Sequence, residues 1–271
     1  LFENYYTDEG LVLFTHSPRK QDGQIMELIG EMYDAMQGRE TGYLALVLLS
    51  TRLNEREAGK PEKEIQDILD DLVEAFEQVG LRGAPAEDVR YDFYRSDGFL
   101  TDEMLDSFME RCRRHDLIPL LGTLPEEEFT GQRLEKVRQI IEKRNCFFTS
   151  HLSETTWRYE NAVGKMGNSP VKVLNQYGLL TDKYIGSHAV YLDDEDIEIY
   201  AKSGAKIVNT PICELKIADG LAPVPKFVKA GIPVALGTDG AMWNNSNDIF
   251  REMKCMSVIH NLQYGVRTFT P

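Results

Sequence analysis

The chain has 271 residues, 44 acidic against 30 basic side chains, a formal net charge of -14 and 42% hydrophobic residues. That deficit of Lys and Arg argues against a nucleic-acid partner, whose phosphates are held by clustered cations, while the apolar content suffices for a full buried core. Four dispersed cysteines (Cys112, Cys146, Cys213 and Cys255) make neither a C-x-x-C pair nor a disulfide framework, so a reducing, cytoplasmic setting is expected.

In chain order, residues 1–116 read as mostly helical. "GLVLFTHSP" (10–18) and "GLRGAPAEDVRY" (80–91) are the strand-like stretches there. The longest apolar run, "YLALVLL" (43–49), is too short to cross a bilayer, and no basic-then-apolar leader opens the chain. The alternating charges of "PEKEIQDILDDLVEAFEQ" (61–78) mark a solvated helix face.

From residue 117 the pattern changes. "LIPLLGTL" (117–124) precedes "GQRLEKVRQIIEKRN", which places Leu134, Val137, Ile140 and Ile141 on one helical face. "NCFFTSHL" (145–152) leads into a helical region reaching "VKVLNQYGL", and "YIGSHAVYL" (184–192) into "DDEDIEIYAKSG", with Asp193 or Asp194 as N-cap and Gly204 as terminator. "KIVNTP" (206–211) is followed by "APVPKFVKAG", and "PVALGTD" (233–239) by "NDIFREMKCMSVIH". The strands are continuously apolar, which predicts parallel strands buried on both faces. No G-x-G-x-x-G follows a strand, so the expected fold is α/β, a (β/α)8 TIM-like barrel in a single domain spanning 1–271.

Functional groups of such a barrel stand at the C-terminal ends of its strands. His151 ends "CFFTSH", His188 ends "YIGSH" and Asp239 ends "VALGTD". Each is the first ionisable residue after its apolar run, so all three should face one mouth. Glu154, three residues past His151, can enter it as a proton-transfer group. Singly, each has a structural reading: a hydrogen-bonded histidine, an Asp-Gly turn, a helix first-turn carboxylate. Together they suit zinc or a similar divalent ion, and hydrolysis by the water it activates. His16, after "LVLFT", is a weaker candidate of the same kind, and His115 and His260 read as surface or structural.

The blocks "TSHLSET", "YIGSHAVYLDDEDIEIYAKSGAKIVNTP", "KIADGLAPVPKFVKAGIPVALGTDGAMWNN" and "DIFREMK" resemble the amidohydrolase superfamily, in its metal-dependent aminohydrolase and chlorohydrolase branch. That branch includes the S-adenosylhomocysteine/methylthioadenosine deaminases and the s-triazine hydrolases. The resemblance is clearest over residues 134–258. It implies that His151, His188 and Asp239 belong to a site for one divalent metal ion, zinc with iron as the alternative. It further implies that Glu154 shuttles protons, that His188 polarises substrate or orients the water, and that Asp239 takes the water's proton.

Two departures stand out. The family's first strand ends in an H-x-H pair, and none occurs in this sequence. Either the pair lies upstream of Leu1, as expected for a barrel incomplete at its N-terminus and without the family's accessory β domain, or zinc is not held in the family's manner. In "NTPICELKIADG", Asn209, Glu214 and Lys216 stand where the deaminases show other residues, so substrate recognition should differ, with Glu214 as a candidate contact. Trp243 and Asn244 form one wall of the mouth, unless Trp243 only packs at the rim.

The resemblance therefore implies hydrolytic deamination of a small amino-substituted heterocycle of purine, pyrimidine, nucleoside or triazine type. The alternatives are a chlorohydrolase or N-alkylamine hydrolase using the same site, or an inactive barrel fragment with a binding or structural role. No nucleic-acid or membrane partner is expected. Self-association through an unpaired sheet edge is.

Overall fold

The structure is a computed structural model that describes residues 83–89, 98–246 and 248–269. The strand-like stretch at 10–18 with His16, the apolar run 43–49 and the charged stretch 61–78 lie outside the described residues. The chain divides into two compact units, Leu1–Leu121 and Gly122–Pro271.

In the first unit, β1 (Ala86–Asp88) leads through α1 (Asp102–Arg114) to β2 (Leu120–Gly122), which ends at the boundary. α1 starts where Thr101 accepts a hydrogen bond from Met104 N at 3.3 Å, carries Asp102 and Glu103 in its first turn and ends in Arg111, Arg113 and Arg114. Charges of that polarity favour the helix dipole. Leu105, Phe108, Met109 and Cys112 recur at helical spacing and form its buried stripe.

The second unit holds α2 (Gly131–Arg144), β3 (Phe147–Leu152), α3 (Thr156–Met166), α4 (Pro170–Gln176), β4 (Tyr184–His188), α5 (Asp194–Ser203) and β5 (Lys206–Asn209). It continues through α6 (Pro211–Lys216), α7 (Val224–Lys229), β6 (Val234–Leu236), α8 (Ala241–Asn244) and α9 (Ile249–Tyr264). Strands β3 to β6 pair parallel in chain order, with Leu152 opposite His188, Ser187 opposite Val208 and Asn209 opposite Leu236. Neighbouring strands in chain order, joined by helices, are the arrangement of a barrel wall. A doubly wound sheet would reverse its order at a switch point.

The punctuation expected from sequence is present. Asp193 accepts from Asp196 N at 2.7 Å and Gly204 closes α5 at φ 74. The helical region after β3 breaks in two at Gly167, φ 74, and restarts with Ser169 as N-cap and Pro170 in the first turn. Burial departs from expectation, since it alternates along the strands instead of being uniform. Phe148, Leu152, Tyr184, Gly186 and Ile207 lie on the face packed by helices, where Tyr184 bonds Ser150 at 2.7 Å and the Tyr200 hydroxyl of α5 donates to Lys206 O at 2.7 Å. The face carrying Thr149, Ile185, Ser187 and Val208 is half-buried and leads His151 into the open. Among the described residues, no helix is long and apolar enough to cross a membrane.

Gly186 on β4 lies in close contact with both β3 and α5. A Cβ there would lie 2.8 Å from Leu152 Cδ2 and 2.9 Å from the Tyr200 hydroxyl. Gly186→Ala is therefore expected to lower stability by about 1–3 kcal/mol through overpacking. Gly164→Ala, with nothing within 4 Å on α3, should raise it by about 0.5–1 kcal/mol through helix propensity. Urea denaturation of the two variants beside the parent chain checks the opposite signs.

Candidate functional site

The backbone turns sharply where the strands end. Ser153, His188, Ala189 and Asp239 all have positive φ, at 46, 73, 57 and 60°. Such conformations are disfavoured for residues with a Cβ and collect where surrounding structure enforces them, often at functional sites. Leaving the strand path at these points breaks the two-residue alternation of side chains and swings His188 and Asp239 toward His151.

The expected groups do meet. The rings of His151 and His188 are stacked at 5.4 Å between centroids and 6° between planes. His188 Nε2 lies 3.6 Å from Glu154 Oε1 and 4.0 Å from Asp239 Oδ2. One ligand atom from each of His151, Glu154 and His188 falls within 4.8 Å of the others. Two imidazoles with carboxylates beside them form a nitrogen and oxygen donor set suited to zinc, so these residues fit a divalent cation.

Their electrostatics differ. Although His151 is exposed, desolvation by surrounding protein atoms and then the charge of neighbouring His188 push its pKa down to about 4, leaving a neutral ring at physiological pH. His188 is 2% exposed. Burial alone would lower its pKa, but hydrogen bonding to Glu214 and the charges of Glu154 and Asp239 outweigh that and raise it. Asp239 accepts from Cys213 Sγ at 2.9 Å through Oδ2 and from Gly240 N through Oδ1. Glu154 pairs with Arg158 at 3.2 Å.

Residues 121–271 match the amidohydrolase family. The chain belongs to that family. Among curated relatives, the 5'-deoxyadenosine deaminase of Methanothrix thermoacetophila is 32% identical over 204 residues, covering 75% of this chain and 48% of the relative. A 5-methylthioadenosine/S-adenosylhomocysteine deaminase of Caldicellulosiruptor saccharolyticus is 40% identical over 131 residues, covering 48% of this chain and 30% of the relative. The chain thus spans about half the length, or less, of the curated relatives it matches. Solved structures of like fold include an adenosine deaminase from Xanthomonas campestris with bound zinc, at a TM-score of 0.65 and 19% identity over 88% of this chain and 56% of that one. Another is the zinc complex of atrazine chlorohydrolase from Arthrobacter aurescens, with TM-score 0.62 and 17% identity over 90% and 59%.

Against this amidohydrolase background, the three residues expected to contact substrate separate. Trp243 is 41% exposed and accessible. Asn244 is 7% exposed and donates to Thr238 O at 2.6 Å and to Glu252, tying α8 to α9. Glu214 is fully buried, with its oxygens accepting from Asn209 Nδ2 at 2.7 and 2.8 Å and from Thr210 N at 3.0 Å, so no free oxygen faces the mouth. His260 is fully buried between the carbonyls of Met256 at 2.8 Å and Ala222 at 3.0 Å, a structural residue.

Sequence reasoning overlooked Glu126. It is the first ionisable residue after "LIPLLGTLP", the rule that selected His151, His188 and Asp239. Glu126 is fully buried, accepts from Ser153 N beside the site through Oε1 and has no partner for Oε2. Desolvation lifts its pKa to about 8. The unfolded value is about 4.3, so the folded state binds the extra proton and stability falls as pH rises from about 4 to 8. Glu126→Gln keeps the acceptor for Ser153 N and removes the ionisation. It is expected to raise stability at pH 8 by on the order of 2–4 kcal/mol and to flatten the slope below it. Thermal melts across that pH range check this. Asp219, 7% exposed with an unpartnered Oδ2, was also missed, and desolvation and then Glu154 raise its pKa to about 6.

Proposed function

We propose that this chain carries the catalytic centre of a metal-dependent hydrolase that removes ammonia from a small amino-substituted heterocycle, most readily one of the adenosine type. The observation that carries the proposal is the meeting of His151, Glu154 and His188 with donor atoms within 4.8 Å, and Asp239 next to His188. The names of the two curated relatives described above, both deaminases of adenosine derivatives, supply the substrate class.

A divalent cation held by His151, His188 and Asp239, zinc with iron as the alternative, would acidify water toward a pKa of about 7. Around it, the chain's own groups divide the proton work. Asp239, fixed by Cys213 and Gly240, takes a proton from the attacking water. Glu154, fixed by Arg158, delivers one to the ring nitrogen or the departing amine, so that the C–N bond breaks and ammonia leaves. His188 Nε2, the atom that would hold the cation, helps place the activated water against the attacked carbon. Trp243 offers an aromatic surface on which a flat heterocycle can rest.

The test supplies the purified chain with zinc and offers 5'-deoxyadenosine, 5'-methylthioadenosine and atrazine. Ammonia released from either adenosine derivative, and lost in Asp239→Asn, supports the proposal. Chloride released from atrazine alone would reassign the leaving group. No turnover of any of these by a chain holding about one zinc would overturn it.

A further inference from the structure

Behind the mouth lies a buried polar network that neither the proton work nor the cation uses directly. His188 Nδ1 sits 2.9 Å from Thr210 Oγ1 and 3.6 Å from Glu214 Oε1, on the side of the ring away from Glu154 and Asp239. Asn209 ends β5, Thr210 precedes Pro211 at the start of α6, and Glu214 lies one turn along α6. Side chains at these positions are 0%, 4% and 0% exposed, and His188 is 2% exposed, so their donors and acceptors are expected to pair within the protein, as all but Asn209 Oδ1 do.

Counting hydrogens decides the direction of the bonds. Glu214 accepts three N–H bonds, two from Asn209 Nδ2 and one from Thr210 N. A hydroxyl has one hydrogen, and that of Thr210 is directed to Glu214 Oε1 at 3.3 Å. Its oxygen then offers only lone pairs to the ring, so the nitrogen facing it carries the hydrogen. In the opposite tautomer the Nδ1 lone pair would face both a carboxylate oxygen and a committed hydroxyl, an arrangement penalised in a buried setting.

We propose that Thr210 and Glu214 are positioning residues that hold His188 as its Nδ1–H tautomer, so that Nε2 alone presents a lone pair to the mouth. His188 then meets either a cation or a proton at one fixed atom, and Nδ1 keeps its hydrogen in both cases. The use made of Nε2 rests on the proposed function, whereas the tautomer rests only on the buried network.

The test labels the histidine rings of the full chain with nitrogen-15, removes metal with a chelator and records long-range proton–nitrogen spectra at mildly alkaline pH. Five histidines give five ring systems, and the signal missing from the His188→Gln chain is that of His188. His188 is expected to show a pyrrole-type Nδ1 and a pyridine-type Nε2. Thr210→Ser should preserve that pattern. Thr210→Val should mix the tautomers and weaken zinc binding by about 10–100-fold, and Glu214→Gln should act in the same direction. A pyrrole-type Nε2 in the parent chain overturns the proposal without any variant, and so does a folded Thr210→Val chain with an unchanged His188 pattern. The spectra do not depend on turnover. A chain with the expected tautomer that releases no ammonia keeps this inference and sinks the proposed deamination, and the reverse result separates them the other way.

Discussion

Replacing Asp239 with Asn is expected to leave the chain folded and to weaken zinc binding by more than about 100-fold, beyond the range seen when only a supporting residue is lost. The fold should survive because residue 239 sits at φ 60, a region Asn tolerates better than other residues with a Cβ. An amide also keeps an acceptor for Gly240 N. The site should not survive, because Oδ2, 4.0 Å from His188 Nε2 and bonded by the Cys213 thiol at 2.9 Å, becomes either a neutral oxygen or an NH2 group. Elemental analysis after dialysis against a chelator of graded strength measures the loss. Parent and variant with equal zinc would remove Asp239 from the cation's ligands.

The second large effect is expected at Glu154. Its carboxyl is 3.6 Å from His188 Nε2 and 3.2 Å from Arg158, and the residue is 9% exposed. Glu154→Gln keeps the size and an acceptor for Arg158 but cannot deliver or recover a proton. Turnover of an adenosine-type substrate should fall by roughly 10²–10⁴-fold, the ordinary contribution of a general acid or base, while bound zinc stays near the parent value. Steady-state kinetics run beside metal analysis distinguish the roles, because a drop in zinc of the same size would make Glu154 a ligand instead.

Much of the architecture was legible in sequence because strand ends and helix caps are local signals. Asp193 and Gly204 act through neighbours a few residues away, and the apolar runs ending in His151, His188 and Asp239 needed only the rule that strand ends carry chemistry. What escaped was set by side-chain pairings that a pattern of residue types does not reveal. Glu214 was read as a candidate substrate contact because it stands where the deaminases show another residue, yet its oxygens are taken by Asn209 and Thr210. Glu126, at the head of the acidic run 126–128, was passed over, though the strand-end rule would have selected it. The alternating burial of the strands could not be read from residues that are apolar on both faces. The family match begins at residue 121, beside the unit boundary at Gly122, so the legible half is one compact unit.

The left-handed turns at His188, Ala189 and Asp239 bear on how this scaffold could acquire new specificities. Branched residues are disfavoured at these positions, so substitutions are better placed just beyond them, in the segments after β4 and β6 that carry Tyr191 and Trp243. A backbone that orients the reactive atoms before those segments begin leaves them free to be exchanged. Libraries randomised at Tyr191 and Trp243, with 188, 189 and 239 and the buried Val190, Leu192 and Asn244 held fixed, should therefore yield many folded, cation-competent chains that differ in the molecule they accept.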